Sequence, residues 1–552
     1  MNAYLQERRK LIDEDRAQRV DTLRTQSLSP VEQHAEEIVR KIRIAEAASV
    51  WNANGTDIFD YKPDNASPNL FPGMAFLTGI EFRINSPKGA RDISVHTKLF
   101  KILSKMPKGG LLHAHLGATA DARKLLEISL TQPTVHIATS GTLTPQDLQK
   151  ALPEFKVLPP TYLSSLESIA DKTYVKGEYV PLQKARETFP SELGGTEGFD
   201  NWIVNSLQIN PAEAYGSHNT TTKVWSKFTS VSAISEVLLG FMPIWREYVR
   251  EFFRSSIADG MSYVEPRVFF WHKFMTGADG LANVPHREWL IVYEGVMNDI
   301  VEELKEQGRQ NALVGSKIIY TTMRFDTMKE LEWHFENCIA LKQEFPHLIA
   351  GFDLVGHEDT LKPLLEHVQP LLKFQERQVE LGLEIPLLLH AGETLGDGTD
   401  ADMNLYDAIL LGTKRIGHGY SLVKHPKLME ICKTKQIALE VCPISNEVLR
   451  LTTAMPMHPL PIMMNHGIPL VLSSDDPAAW GCTGLTYDFY QVLVSSEISG
   501  LITMGELARN SLKYSCLSQQ EKERALELYE KQWGDFVNWV VQEYTTDGEF
   551  KA

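Results

Sequence analysis

Eight short apolar runs between residues 109 and 476 restrict the fold more than any other feature of this chain. They read GGLLHAHLG (109–117), MSYVEPRV (261–268), SKIIYTTMR (316–324), IAGFDLVG (349–356), PLLLHAGE (386–393), RIGHGY (415–420), IALEVCPIS (437–445) and PLVLSSDD (469–476). A strand with one wet face alternates apolar and polar residues. A strand that is apolar throughout is covered on both faces. Helical patterns separate the runs, and strand–helix alternation builds a parallel sheet. Eight such units fit a (β/α)8 TIM barrel, an α/β fold; a doubly wound open sheet satisfies the same pattern. In a barrel, the polar and glycine-rich ends of the runs collect at one mouth, which is where chemistry is expected.

The stretches outside the runs read as additions to that unit. Residues 1 to about 50 are helical in pattern. Ser29-Pro30-Val31-Glu32 is a capping box with proline in the first turn, and it opens a stripe of Val31, Ala35, Ile38, Val39, Ile42 and Ala45. The stripe is buried either on the main domain or against a second copy of the chain, which makes these helices the expected contact of a homodimer. Residues 51–95, rich in Asn, Pro and Gly, read as an arm that completes a 1–95 extension to a barrel unit spanning 96–552. The gap between the first two runs exceeds one crossover helix, so residues 125–225 are expected to form an insertion over the barrel mouth, a lid. A second capping box, Ser518-x-x-Glu521, opens an amphipathic C-terminal helix.

Composition removes several classes of function. The net charge of −16 opposes broad nucleic-acid binding, which needs the reverse balance. No run of 18 apolar residues suggests a membrane span, and the charged N-terminus has no signal-peptide core. Five cysteines, all beyond residue 337 and with no CxxC pair, argue against a disulfide framework or a cysteine zinc knuckle. The expected compartment is the cytoplasm.

The ends of the runs carry the reactive side chains. His113 and His115 end the first, His390 and Glu393 the fifth, His418 lies in the sixth, and Asp475 and Asp476 end the eighth. Each alone is an ordinary strand-end residue. Converging on one mouth, three imidazoles and a carboxylate make a first shell for Zn2+, which accepts nitrogen and oxygen ligands. Zinc lowers the pKa of a water ligand to about 7 and so supplies a nucleophile at neutral pH. Glu393 then reads as a general acid/base beside the metal, and His418 as a group that accepts the water proton or holds the nucleophile.

His113-x-His115, His390-Ala391-Gly392-Glu393, Gly417-His418-Gly419 and Ser473-Ser474-Asp475-Asp476-Pro477 resemble, in order, the motifs of the adenosine/AMP deaminase branch of the metal-dependent amidohydrolases. MPKGGLLHAH, MSYVEPR and SSDDPAAWG are most similar to the adenosine deaminase-related growth factor subgroup. The resemblance implies zinc held by His113, His115, His390 and Asp475, one ion per chain. It implies proton delivery from Glu393 to purine N1, and a nucleophile oriented on C6 by His418 and Asp475. Asp476 would bond N7, and the Gly356 backbone would bond N3. The implied reaction turns adenosine, and 2′-deoxyadenosine, into the 6-oxopurine nucleoside and ammonia. The partner is therefore a small purine nucleoside or nucleotide, with neither nucleic acid nor a membrane involved.

The first motif departs from the family pattern. Adenosine deaminases commonly continue as H-x-H-L-D-G, with the Asp associated with the ribose 5′-hydroxyl, whereas this chain has Leu116-Gly117-Ala118. A carboxylate there would repel a 5′-phosphate; Gly117 would not, and its N–H could approach one. An AMP-type deaminase is thus the rival enzyme, and a non-catalytic growth-factor-like binding protein on the same fold is the rival of a different class.

Overall fold

The computed structural model describes residues 1–50, 91, 94–139 and 143–545, apart from 147, 149–150, 163, 165, 172 and 211–212. The eight apolar runs become eight parallel strands. They are β1 (Gly109–Leu111), β2 (Met261–Val264, resuming at Arg267–Phe269), β3 (Gly315–Ser316 and Ile318–Met323), β4 (Ile349–Val355), β5 (His390–Ala391), β6 (Arg415–His418), β7 (Ala438–Val441) and β8 (Leu470–Leu472). Each run is parallel to the next: β1 with β2, β2 with β3, β3 with β4, and β5 through β8 in order. Two isolated parallel bridges complete the circle, Phe352 with Leu387 between β4 and β5, and Ala114 with Asp475 between β1 and β8. The sheet therefore closes as a (β/α)8 barrel, and the open-sheet alternative falls away. The strands are apolar because they are covered on both faces: all seven residues of β4 and all four of β7 are buried.

The bridge that closes the barrel lies at the mouth. The His115 N–H donates to the Asp475 carbonyl at 3.0 Å, and the Asp475 N–H to the His113 carbonyl at 3.1 Å. Helix Leu501–Lys513 seals the same seam from outside. The Ser511 hydroxyl accepts from the Gly110 N–H at 2.6 Å. Gly109 has φ +68°, and a Cβ there would sit 2.3 Å from the Ala508 carbonyl oxygen, so the close approach of helix and strand requires glycine.

Between β1 and β2 the chain leaves the barrel. Helix Ala122–Leu130 is followed by a three-stranded antiparallel sheet with Val135–Thr139 at its centre, flanked by Pro153–Val157 and Val180–Pro181. Helices Leu182–Glu187, Gly195–Ser206 and Thr221–Leu239 follow. Leu126, Ile137, Phe155, Val180, Phe199 and Trp202 give this part a core of its own, which continues onto Ile244 and Tyr248 of the helix leading to β2.

Residues 1–50 form three helices, Asn2–Arg16, Thr22–Gln26 and Pro30–Ser49. Both capping boxes form as read: Ser29 with Glu32, and Ser518 with Glu521. The apolar stripe of the third helix is rotated from the sequence expectation. Ala35, Ile38, Val39 and Ile42 are buried, but Val31 and Ala45 are exposed, while Glu32, Arg43 and Glu46 are buried. The charges go inside because partners await them. Glu32 accepts from the Trp533 indole N–H at 2.9 Å, Arg43 donates to the Ser499 carbonyl at 2.8 Å, and Glu46 accepts from the Lys98 N–H at 2.6 Å. Its neighbour is the C-terminal helix Gln519–Thr545, so this stripe is satisfied within one chain. The arm expected over 51–95 lies outside the described residues except for Arg91, Ser94 and Val95. Among the described residues, no helix is long and apolar enough to cross a membrane.

Candidate metal and catalytic centre

His113 and His115 follow β1, His390 opens β5, His418 ends β6, and Asp475 follows β8. Ligand atoms of His113, His115, His390 and Asp475 all lie within 4.8 Å of one another. Asp475 Oδ1 stands 3.4 Å from His113 Nε2 and 3.3 Å from His115 Nε2. Asp475 Oδ2 stands 3.7 Å from His418 Nε2, and Glu393 Oε1 is 3.6 Å from the same atom. Six of the residues read from sequence thus meet in one place. Asp476, the next residue, is also buried.

The backbone at these positions is held in the left-handed region. His418 has φ 60° and Asp475 φ 59°, unusual for residues with a side chain, and Gly392 and Gly419 bracket them with φ 74° and 61°. Such a conformation costs on the order of 1–3 kcal/mol per residue, and the surrounding barrel must hold it. Gly356 ends β4 with φ +118°, where a Cβ would lie 2.4 Å from a Leu361 methyl. Gly117 sits in the single 3-10 turn Leu116–Ala118 after His115, with Leu239 of helix Thr221–Leu239 across from its α-carbon. Both glycines are at the mouth ends of their strands.

The imidazoles are aimed by buried carboxylates. Glu440 Oε2 accepts from His113 Nδ1 at 2.7 Å, and Asp353 Oδ2 accepts from His390 Nδ1 at 2.6 Å. A carboxylate only accepts, so each Nδ1 carries the proton and each Nε2 turns a lone pair inward. Arg267 joins the two carboxylates, donating to Asp353 at 2.7 Å and to Glu440 at 2.9 Å. Arg415 donates to Glu440 at 2.6 Å and to Glu265 at 2.7 Å. Burial alone would raise Asp353 and Glu440, but the adjoining guanidinium and imidazole groups hold both well below the usual carboxylate range.

Two acids at the centre go the other way. Burial, then the charge of Asp475, raises Glu393 well above the usual carboxylate range, which favours its protonated form. Burial and Asp475 raise Asp476 likewise. Asp475 itself is held low, the imidazoles of His113 and His115 outweighing burial. The site therefore pushes two carboxyl groups that both face His418 in opposite directions, Glu393 up and Asp475 down, the divergence that proton-transfer chemistry uses. Its donor set fits a divalent zinc ion: three imidazole nitrogens and one carboxylate oxygen. His113 Nε2 is buried with no hydrogen-bond partner, the condition of an atom that an ion would satisfy.

Glu358, two residues past Gly356, and Arg267, at the end of the second run, read from sequence as a support of the site and as the partner of a buried carboxylate, and they take those parts; the remaining supports carry no such reading. Glu358, behind Glu393, accepts from the N–H groups of Gly392 and Glu393 at 3.2 and 3.0 Å and from the Asn404 amide at 2.6 Å. Ser445 donates to Asp475 Oδ2 at 2.7 Å. A signal was present for the network: Asp353 and Glu440 are single charged letters inside otherwise apolar strands, and Arg415 opens another. The aromatic residues before β2 divide. Trp202 packs in its own core, its indole N–H on the Ala151 carbonyl at 2.8 Å. Trp225 stacks on His357 at 4.3 Å, beside the end of β4, with Phe228 against Trp480 at 5.6 Å. Cys442 is buried near the centre, and its thiol is raised by burial.

Comparison with known proteins places the chain in a family. Residues 210–532 match the adenosine deaminase family model (A_deaminase). Adenosine deaminase 2 of Sus scrofa is 34% identical over 455 residues, 81% of this chain and 82% of the relative. An adenosine deaminase of Lutzomyia longipalpis is 30% identical over 514 residues, 92% and 90% of the two chains. Among solved structures, Arabidopsis ADAL complexed with GMP has the same fold: TM-score 0.52, 14% identity, 78% of this chain and 98% of the other. The chain belongs to the adenosine deaminase family and is an aminohydrolase.

Proposed function

We propose that this protein is a zinc-dependent hydrolase that converts adenosine, and 2′-deoxyadenosine, to the corresponding 6-oxopurine nucleoside and ammonia. The observation that carries the reading is the juxtaposition of a zinc-type donor set with the buried Glu393 carboxyl, whose Oε1 lies 3.6 Å from His418 Nε2. His113, His115, His390 and Asp475 would hold the ion, one per chain. When bound, zinc supplies a hydrolytic nucleophile from water at neutral pH. Glu393 gives its proton to purine N1, which makes C6 electrophilic. His418 and Asp475 orient the attacking oxygen. A C6–O bond forms and the C6–N bond breaks; of the two protons of the attacking water, one restores Glu393 and the other goes to the amine, which leaves as ammonia. Asp476, whose proton affinity burial and Asp475 raise, is suited to donate to N7, and the Gly356 backbone to bond N3.

A second reading, AMP as substrate, rests on Leu116-Gly117-Ala118, which places no charge after His115 to repel a phosphate. Loss of the adenine absorbance in adenosine and in AMP at equal concentration separates the two. Faster turnover of AMP would transfer the assignment, and no turnover of either would refute both and leave a binding protein.

We assign residues 1–95 to an extension, 96–552 to the catalytic barrel, and 125–225 to a lid, with the Trp225 face of the following helix turned to the mouth. All five cysteines are free, which suits a reducing compartment and the cytoplasm. Helix Asn2–Arg16 buries none of its residues and leaves Tyr4, Leu5 and Leu11 exposed, a contact for a homodimer. Removal of residues 1–28 should then lower the particle mass in solution to that of one chain.

A further inference from the structure

The hydrogen bonds behind His418 run in one direction. The Leu460 backbone N–H donates to Nδ1 of His458 at 2.9 Å. A backbone N–H has no other role, so this Nδ1 accepts, and the neutral ring carries its proton on Nε2. That Nε2 lies 2.9 Å from Oδ1 of Asn446 and donates to it. The amide is thereby oriented, and its Nδ2 donates to Nδ1 of His418 at 3.2 Å. His418 accepts at Nδ1 and so carries its proton on Nε2, the atom that faces Glu393 and Asp475. His418, Asn446 and His458 are each 2% exposed or less, so the order is shielded from bulk solvent. Burial pushes His458 down to about 3, so it is neutral. The edge of Tyr420 meets the His458 ring at 5.3 Å and fixes its plane.

We propose that Asn446 and His458 are positioning residues that lock His418 in its Nε2–H tautomer, making it a hydrogen-bond donor to the attacking oxygen and not the base that takes its proton. His113 and His390 are the converse case. Their Nδ1 protons rest on carboxylates, and their Nε2 lone pairs face the centre. This sorts two overlapping groups of ligating side chains. His113, His115, His390 and Asp475 can hold an ion, whereas His113, His418, Cys442 and Asp475 would require His418 to give up its inward proton. Helix Pro443–Val448 thus serves the centre twice, with Ser445 on Asp475 and Asn446 on His418.

The tautomer stands apart from the reaction; only its catalytic consequence rests on the proposed deamination. Nitrogen-15 spectra of histidine-labelled, zinc-loaded protein, with His418 assigned by its loss in H418Q, read the tautomer directly. The expected result is a proton on Nε2 in the wild type. Asn446→Asp, which turns the donor into an acceptor, should move it to Nδ1 and lower kcat with adenosine by roughly 10- to 100-fold, with little change in KM. His458→Gln can still donate to Asn446 and should keep more activity than His458→Phe. A proton on Nδ1 in the wild type overturns the relay, whether or not any variant folds. Wild-type kcat in a tautomer-shifted N446D overturns the catalytic consequence alone. The expected tautomer in a protein inert toward adenosine and AMP supports the relay and refutes the reaction.

Discussion

Glu440→Gln tests whether the carboxylates behind the histidines matter as argued. In the wild type one carboxylate accepts from His113, Arg267 and Arg415, all buried. Glutamine keeps the shape and offers one acceptor oxygen. If that oxygen faces His113 and Arg267, the amide N–H groups meet the Arg415 donor, and one charge-assisted hydrogen bond is lost, about 1.5–3 kcal/mol. If it faces Arg415, the amide donates to His113 Nδ1 and drives the ring proton to Nε2, the atom needed as ligand. The first arrangement costs stability; the second costs the metal. The two share the damage, and a fall of about 10- to 100-fold in zinc affinity is expected, the usual effect of losing such a support. Competition with a chromophoric chelator measures the affinity, and urea unfolding of the metal-free protein measures the stability. A variant with wild-type zinc affinity and an unchanged urea midpoint would refute the orienting role of Glu440.

Three further outcomes are expected. Glu393→Gln should cut turnover of adenosine by at least about 10²-fold and leave zinc content unchanged, because Glu393 is not among the four proposed ligands; metal analysis alongside kinetics checks both halves. Arg267→Leu leaves Asp353 and Glu440 buried without their shared cation and should cost about 3–5 kcal/mol in urea unfolding, more than a surface arginine removed as control. His458 has a folded-state pKa depressed to about 3. Above pH ~6.5 it is neutral in both states, and below that only the unfolded chain takes the proton, so its contribution to stability is lost on acidification at about 1.4 kcal/mol per pH unit. His458→Gln should flatten that acid slope in unfolding midpoints measured from pH 7 to 5.

The parts legible in the sequence were those written locally. Continuous apolar runs announced strands covered on both faces, and the metal-type residues stood at their ends. The capping boxes at Ser29 and Ser518 were local as well. The network was not, because nothing near Arg267 says that its carboxylates come from positions 353 and 440. Only closing the barrel brings them together. The phase of helix Pro30–Ser49 was misread for the same reason. Counting apolar letters put Val31 and Ala45 inward, but partners from Trp533, Lys98 and Ser499 made Glu32, Arg43 and Glu46 cheaper to bury. The small antiparallel sheet before β2 left no clear pattern, since Val135–Thr139 is buried along its whole length.

The seam between β1 and β8 sets how this enzyme comes together. The two backbone bonds that close the circle belong to His113, His115 and Asp475, the residues proposed to share an ion. An ion held there would latch together chain positions some 360 residues apart. Tightening the latch and shutting the barrel become one event, so a slip of one residue at this edge would scatter the ligands as well as break the sheet. Stripping the ion should therefore loosen first not the mouth loops but the meeting of the first and last strands, and with it the grip of helix Leu501–Lys513 and of the terminal helices packed upon it.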